Sequence, residues 1–173
     1  SASYDTARDL SSPWIVGPFR LNTEDRARFV MEEPPGSFTT GPWPALGLPF
    51  YAGTVVYTAE VHIAGDECAQ TAMLELPGLH GSAEVRVNGA VAGQVLWQPY
   101  RCDITRLLKP GVNRLEVEVA NTLRNLFGPH YEPREEVMTG YSEESHRGQP
   151  GQPKRFLDYG LVSAPELVFL KNG

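Results

Sequence analysis

Residues 83–97 read AEVRVNGAVAGQVLW, and this stretch decides the fold. Apolar residues alternate with Glu84 and Arg86 up to the pair Asn88-Gly89, and a second, mostly apolar run follows. An alternation with a period of two is typical of a strand that buries one face. The Asn-Gly pair tolerates the two positive φ angles of a type I′ turn, which joins neighbouring antiparallel strands. The stretch therefore predicts a β-hairpin.

Outward from the hairpin, the same alternation recurs in three further stretches. They are TVVYTAEVHI at 54–63, TAMLEL at 71–76 and RLEVEV at 114–119. Each stretch places apolar side chains on one face of a strand and mainly polar side chains on the other. Short strands separated by turn residues, without a long helical period, favour an antiparallel β-sandwich. The sequence therefore predicts an all-β domain.

The residues that follow the hairpin carry turn signals. The pattern predicts a strand at 100–104, a single helical turn at 105–108 and a chain reversal at 109–113. Gly111 and Asn113 suit positive φ angles in that reversal, because glycine and asparagine tolerate the left-handed region best.

Four side chains of the same segment are predicted to hold the fold together. Asp103 and Thr105 suit hydrogen bonds to the backbone of the helical turn. Trp97 and Tyr100 are expected to supply a large apolar area at a corner of a sheet.

The remaining stretches of the sequence predict two further strands, a short helix and one long loop. Residues 14–21 and 166–170 are expected to lie side by side and close a sheet. Proline, glycine and aromatic residues dominate 22–53, where only a short helix at 24–30 is predicted. Residues 127–158 are rich in glycine and proline, and structureless loops of more than about 15 residues are usually functional or disordered.

Length and composition fit one soluble globular domain. The chain has 173 residues, of which 41% are hydrophobic and 21% charged, so a single domain spanning 1–173 can bury its own core. A net charge of −6 without a basic block argues against nucleic acid as a partner. No apolar run approaches the roughly 20 residues that a membrane helix needs, so no membrane partner is predicted. Residues 1–3 are consistent with a cloning remnant.

Cysteines and acidic loops give little sign of a metal site. Cys68 and Cys102 are too few for a disulfide framework and lack the spacing of a zinc site. We predict that both are small buried or half-buried residues, with a bridge between the two as the alternative. The loop at 65–67 offers two carboxylates without further patterned oxygen ligands, so calcium has only this weak signal and no cofactor is predicted.

A longer pattern runs through residues 85–125, VRVNGAVAGQVLWQPYRCDITRLLKPGVNRLEVEVANTLRN. It resembles the galactose-binding-like jelly-roll domain of glycoside hydrolases, above all the sandwich modules of the family 2 and family 106 enzymes. GLPFYAGTVVYTAEVHI at 47–63 is similar to the preceding strand of that family, and DYGLVSAPELVFL at 158–170 to its closing strand. The closing stretch has Ser163-Ala164 where the family often has Gly-Pro. The resemblance covers 46–126 and implies a jelly-roll accessory domain beside a catalytic domain, in a secreted or periplasmic enzyme.

A candidate sugar site follows the last central strand. Asn121, Arg124 and Asn125, with His130 and Tyr131 in the stretch FGPHY, place planar and hydrogen-bonding side chains at one end of the predicted sandwich. Carbohydrate recognition needs an aromatic face for C–H stacking and donors for hydroxyl groups. The alternative is that Arg124 and His130 tether the long loop to the sandwich or to a neighbouring domain.

A second aromatic platform is predicted from GPWPALGLPFYAG at 41–53. Trp43 and Tyr51 are its candidate ligand-binding side chains, with Phe50 beside them. Aromatic residues flanked by proline also plug the ends of sandwiches, and this structural alternative is the favoured interpretation.

Catalysis by this domain alone is not predicted. Glycoside hydrolysis needs two carboxyl groups about 5–10 Å apart across a sugar. The pairs Glu135-Glu136 and Glu143-Glu144 lie in the Gly- and Pro-rich loop, where a solvated acidic face is the favoured interpretation. We therefore predict a non-catalytic accessory module that binds carbohydrate. The alternative is a structural domain that packs against the catalytic domain without sugar affinity.

Overall fold

The molecule is built mainly of β-strands. A computed structural model describes residues 15–34, 36–127 and 153–170. Within these ranges the chain forms eleven strands, two single 3₁₀ turns and one short α-helix, which confirms the all-β prediction. The elements are, in chain order, β1 (Arg20–Asn22), β2 (Val30–Glu32), β3 (Thr54–Ile63), β4 (Thr71–Glu75), β5 (Leu79–His80), β6 (Ser82–Val87), β7 (Ala90–Val95), β8 (Arg101–Asp103), β9 (Gly111–Ala120), α1 (Arg124–Phe127), β10 (Gly160–Leu161) and β11 (Glu166–Leu170).

One sheet has four antiparallel strands in the order β3-β9-β6-β7. The ten residues of β3 pair with the ten of β9, from Thr54 opposite Ala120 to Ile63 opposite Gly111. β6 and β7 form the predicted hairpin. Its turn residues Asn88 and Gly89 have φ angles of 52° and 83°, as a type I′ turn requires.

A second sheet, β11-β4-β8, packs on the inner face of the first. In its central strand, Leu74 lies opposite Leu167 on one side and Cys102 on the other. The predicted alternation is confirmed, because the inward residues of both sheets share one buried cluster. The buried members are Trp43, Ala72, Leu74, Leu76, Leu79, Ala83, Val85, Val87, Val95, Cys102, Ile104, Leu115, Val117, Val119, Tyr159 and Leu161.

The two long sides of the sandwich differ. Between β7 and β8 the sheets approach closely, since a Cβ added at Gly93 would lie 3.2 Å from the Cys102 sulfur. Between β3 and β11 a cavity of about 760 Å³ opens, lined mostly by apolar side chains.

Cys102 and Cys68 are both free thiols, so the alternative of a bridge is wrong. Burial raises the pKa of the Cys102 thiol, and the Asp103 carboxylate adds to the shift.

The turn after β8 has the predicted chemistry with one correction. The Asp103 carboxylate accepts hydrogen bonds from the Thr105 hydroxyl at 2.6 Å and the Thr105 N–H at 2.9 Å, and these lower the pKa of Asp103. Gly111 has the expected positive φ, 91°. Asn113 instead lies within β9, where its buried amide donates to the Lys109 carbonyl at 2.7 Å and accepts the Lys109 N–H at 3.0 Å. The side chain closes the reversal, so no left-handed backbone is needed there.

The predicted helix at 24–30 is wrong. The segment is a bend between β1 and β2, which pair antiparallel. The Asp25 carboxylate accepts two backbone N–H groups, that of Arg28 among them, and the Thr23 hydroxyl accepts the N–H of Arg26. Such local bonds compete with helical hydrogen bonds. Arg26 also has a left-handed φ of 58°, which a helix does not allow.

The partner of the last strand also differs from the prediction. Residues 166–170 form β11, but β11 pairs with β4, while the strand near the beginning, β1, pairs with β2. Leu167 and Phe169 of β11 face the core together with Leu74 and Ala72 of β4. The hydrophobic register sets the pairing, because a different partner would expose these side chains.

Candidate functional site

The strand ends bring the described predicted site residues to one end of the sandwich. Ala120, at the end of β9, pairs with both Thr54 and Ser82, which start β3 and β6. Val95, at the end of β7, lies opposite Ala83 in β6 and so reaches the same end. We call residues 43, 51–57, 121–127 and 157–161 the β3/β9 corner, and residues 96–101 together with Glu75 and Pro77 the β7/β8 corner.

The Asn121 side chain forms hydrogen bonds to the backbone within the fold. Its side-chain amide donates to the Tyr51 carbonyl at 2.6 Å and accepts the Gly53 N–H at 2.9 Å. Its backbone N–H donates to the Gly53 carbonyl at 3.3 Å. These bonds fasten the loop that leads into β3 to the end of β9. The amide is thereby committed to holding the β3/β9 corner together.

Trp43 is the centre of an aromatic plug in the same corner. It is 1% exposed, and its indole N–H donates to the Tyr57 hydroxyl at 2.8 Å. The rings of Tyr51 and Tyr159 lie 5.6 and 6.4 Å from it, between centroids. The candidate role of Trp43 as a sugar platform is therefore corrected, because a buried ring offers no face to a ligand. Tyr51 is 37% exposed, and its hydroxyl donates to a backbone carbonyl of β3.

The helix α1 contributes a second set of hydrogen bonds that hold the β3/β9 corner together. Arg124 begins this helix and is half-buried. Asn125 is 2% exposed, and its amide donates to the Leu157 carbonyl at 2.8 Å and accepts the Leu157 N–H at 2.9 Å. Asn125 was predicted beside Asn121 and Arg124 in the candidate sugar site, but its amide is hydrogen-bonded to the backbone of Leu157. His130 and Tyr131 lie outside the described residues.

Phe50, expected beside Trp43, belongs to a separate aromatic cluster. Its ring centroid lies 5.1 Å from those of Phe29 and Phe156, both in edge-to-face arrangements. The ammonium group of Lys154 lies 5.3 Å above the Phe29 ring. This cluster joins the β1-β2 pair to the segment that leads back to the β3/β9 corner.

The β7/β8 corner leaves its largest aromatic residue in water. Trp97 is 74% exposed and Leu96 is 51% exposed, so the expected packing of Trp97 is wrong. Tyr100 does pack against the core, as predicted. Val95 and Tyr100 occupy the inward positions on either side of the loop, and the residues between them turn outward.

A cleft of about 560 Å³ adjoins this loop. Glu75 in β4 and Arg101 in β8 lie opposite each other. Both point to the outer face of the sheet, because their neighbours Leu74 and Cys102 point into the core. The cleft therefore combines a carboxylate, a guanidinium group and the amide of a loop residue. Its lining residues are Glu75, Pro77, Gln98, Pro99, Tyr100 and Arg101.

Residues of both corners lie within a match to one family of domains. The family described as "Glycosyl hydrolase 2 galactose-binding domain-like" matches residues 51–150. The chain belongs to that family. The match includes every strand from β3 to β9, and it confirms the resemblance found in the sequence.

One solved structure shares the fold of this galactose-binding-like domain, and a second has a weaker similarity. A rhamnosidase from Novosphingobium sp. PP1Y is 22% identical, with a TM-score of 0.53, over 94% of this chain and 16% of that protein. A β-D-glucuronidase from Dictyoglomus thermophilum is 21% identical, with a TM-score of 0.41, over 72% of this chain and 23% of that protein. At such identities the likeness to the rhamnosidase shows the fold alone. The chain spans less than a quarter of either enzyme. No curated protein sequence matches it.

Clusters of metal ligands and membrane-spanning helices are absent from the part of the galactose-binding-like domain that the structure describes. Among the residues that the structure describes, no three His, Cys, Asp or Glu side chains gather as metal ligands. In the candidate calcium loop, the Glu67 carboxylate accepts the Ala64 N–H at 2.7 Å and so closes its own turn. Across 15–34, 36–127 and 153–170, no helix has the length and apolar character to cross a membrane. Glu135 and Glu143 lie outside these ranges.

Proposed function

We propose that this chain is a non-catalytic accessory module of a larger glycoside hydrolase and that it binds carbohydrate. Membership in the galactose-binding-like family over residues 51–150 carries the proposal. The small share of each similar enzyme that the chain covers, 16% and 23%, supports a role within a longer protein. Carbohydrate and a neighbouring catalytic domain are then its partners.

The proposed binding surface is the end of the sandwich where the loops gather. Tyr51 and Arg124 lie there. His130 and Tyr131, which are outside the described residues, are the other predicted ligand residues. A guanidinium group donates several hydrogen bonds in one plane, which suits neighbouring sugar hydroxyls. Aromatic rings supply apolar area against the C–H face of a sugar.

The test is a glycan array on the 173-residue chain, followed by calorimetry on the best ligand. We expect measurable binding, weakened about tenfold or more in an Arg124→Ala, His130→Ala double variant. The matched control is His62→Ala, Arg106→Ala, which removes the same residue types from exposed positions at the other end of the sandwich. The absence of binding to any glycan would reject carbohydrate binding. Turnover of aryl glycosides by the isolated chain would reject the non-catalytic role and point to Glu135 or Glu143.

A structural role is the second candidate, and the open side of the sandwich favours it. The cavity between β3 and β11 is lined by apolar side chains of both sheets, including Val61, Leu115 and Leu167. A catalytic domain packed along this side would remove that apolar surface from water. Sedimentation of the chain with the separately produced remainder of its enzyme tests this role. We expect a complex that Leu167→Asp weakens, whereas unchanged association would reject this contact surface.

A further inference from the structure

The geometry points to the β7/β8 corner as a carbohydrate subsite in which the Trp97 indole stacks on a sugar ring. This inference rests on the proposed carbohydrate binding and names a position for it that differs from Arg124 and His130. Its starting observation is that Trp97 is 74% exposed, whereas Trp43 is 1% exposed. Aromatic side chains gain most from contact with an apolar surface, so a tryptophan left in water is available for a ligand.

The loop that carries Trp97 is fixed at both ends. Val95 is buried before it, and Tyr100 packs against the core after it. The Tyr100 carbonyl accepts the Leu76 N–H at 2.8 Å, and the Pro99 carbonyl accepts the Arg101 N–H at 2.8 Å. A ligand side chain on a fixed backbone binds with a smaller loss of conformational entropy than one on an unanchored loop. The anchored backbone therefore holds the Trp97 indole at the surface of the β7/β8 corner.

The adjoining cleft supplies the polar half of a sugar site. Glu75 and Arg101 are opposite neighbours on the outer face of the β4-β8 pair, and Gln98 follows Trp97 directly. A carboxylate accepts from two hydroxyl groups, a guanidinium group donates to them, and an amide does both. Such a set matches the hydroxyl edge of a pyranose whose C–H face lies on an indole.

The charges of the cleft favour a neutral sugar. Glu75 and Arg101 carry opposite charges at the same level of the two strands, so the cleft has no excess positive charge. A uronic acid carboxylate would be attracted by Arg101 and repelled by the adjacent Glu75, so the cleft offers it no net electrostatic gain. We infer that the ligand class is a neutral glycoside, with Trp97 on its ring face and the cleft on its hydroxyl edge.

Titration of the 173-residue chain with methyl rhamnoside, methyl galactoside and methyl glucuronoside tests the subsite. The readouts are calorimetry and the two-dimensional NMR signals of the indole N–H groups. We expect one of the neutral glycosides to bind, the Trp97 indole signal to shift, and Trp97→Ala to weaken binding about tenfold or more. Trp97→Phe should restore part of the affinity, because a smaller ring still stacks. The matched control Val112→Ala, an exposed apolar residue at the other end of the sandwich, should bind as the unsubstituted chain does.

The outcomes separate this inference from the proposed function. Glycoside binding that Trp97→Ala leaves unchanged overturns the subsite and keeps carbohydrate binding. Preference for the glucuronoside overturns the neutral ligand class. Failure of every glycoside and of the glycan array overturns both proposals. Loss of association with the remainder of the enzyme in Trp97→Ala, without any glycoside binding, identifies the corner as a protein contact and overturns the subsite.

Discussion

The β3/β9 and β7/β8 corners lie at one end of the same sandwich and use their aromatic residues in opposite ways. In the first, Trp43 is buried and its N–H donates to Tyr57. In the second, Trp97 lies in water beside a polar cleft. Three strand spacings, about 14 Å, separate the outer strands of the sheet that carries both corners. The difference teaches that residue type alone does not mark a binding site, because the fold itself can use the same groups.

Hydrogen-bond partners distinguish the corners more sharply than composition does. Asn121 and Asn125 place their amides on backbone groups of Gly53 and Leu157. Polar groups committed in this way add to the stability of the fold and have little capacity left for a ligand. Substitution of Asn121 or Asn125 should therefore change stability, and substitution of Trp97 should change binding.

The largest effect is expected at Gly160, which lies under the plug of the β3/β9 corner. A Cβ at this position would overlap the indole ring of Trp43, and its φ of +106° already disfavours any side chain. We expect Gly160→Ala to lower the free energy of unfolding by about 3 kcal/mol or more, measured by urea denaturation. Gly65→Ala is the control, because no atom lies within 4 Å of that added Cβ. Equal stability of the two variants would contradict the close packing of the plug.

Removal of the Asn125 amide should have the next largest effect. Asn125→Ala leaves both backbone groups of Leu157 without their partner, which should cost about 2–3 kcal/mol. Urea denaturation is again the measurement. Gln94→Ala, an exposed polar residue of β7, should change the free energy by less than about 0.5 kcal/mol. A loss at Asn125 as small as that of the control would mean that these hydrogen bonds do not stabilise the corner.

A smaller loss is expected from Tyr57→Phe. The Tyr57 hydroxyl accepts the Trp43 indole N–H at 2.8 Å and the Leu161 N–H at 3.3 Å. Its removal leaves buried donors unpaired, at about 1–2 kcal/mol. A double-mutant cycle with Trp43→Phe measures the coupling between the two side chains. Additive losses in the cycle would contradict an energetic link between them.

A weak pH dependence is expected from Asp103, in the strand that begins at the β7/β8 corner. Hydrogen bonds from Thr105 hold the pKa of the Asp103 carboxyl below its usual value. Its contribution to stability is therefore complete above the unfolded pKa, about 4, and is lost as the pH falls through the lower folded pKa. Thermal unfolding between about pH 2 and 5 should show a shallower decline in Asp103→Asn than in the unsubstituted chain. Parallel pH curves would show that Asp103 does not contribute to the decline.

Trp97→Ala should have the smallest effect on stability. Its side chain is 74% exposed, so the change in the free energy of unfolding should stay within about 0.5 kcal/mol. Thermal unfolding of this variant also verifies that any loss of binding is not a loss of fold. A destabilisation as large as that of Asn125→Ala would remove the contrast between the two corners.

The central strands could be predicted because their signals are local. The period-two alternation of β3, β4, β6 and β9 and the Asn88-Gly89 turn depend on neighbours in the chain. The bend at 24–30 was not predicted as such, since Asp25 and Thr23 satisfied the backbone with side-chain oxygens. The partner of β11 depended on the register of the whole core, which a local pattern does not contain.

The sequence predicted that the candidate residues gather at one end of the sandwich, and their role as a ligand site stays a prediction. Asn121, Arg124, Trp43 and Tyr51 do reach one end of the sandwich. Whether each side chain faces water or the fold follows from contacts between distant segments, such as the bond from Trp43 to Tyr57. Trp97 was assigned to the core for the same reason, because its aromatic character is equally compatible with both environments.

The pair formed by Asn125 and Leu157 also has a consequence for how the chain can vary. Asn125 and Leu157 are 32 positions apart in the chain, and the two residues are hydrogen-bonded to each other. Doubling the length of a flexible segment whose ends are held together costs only about 0.6 kcal/mol. Insertions between residues 127 and 153, which leave the packed Lys154 and Phe156 in place, should therefore cost little stability. The hydrogen-bonded pair makes this part of the domain a natural place for divergence among its relatives.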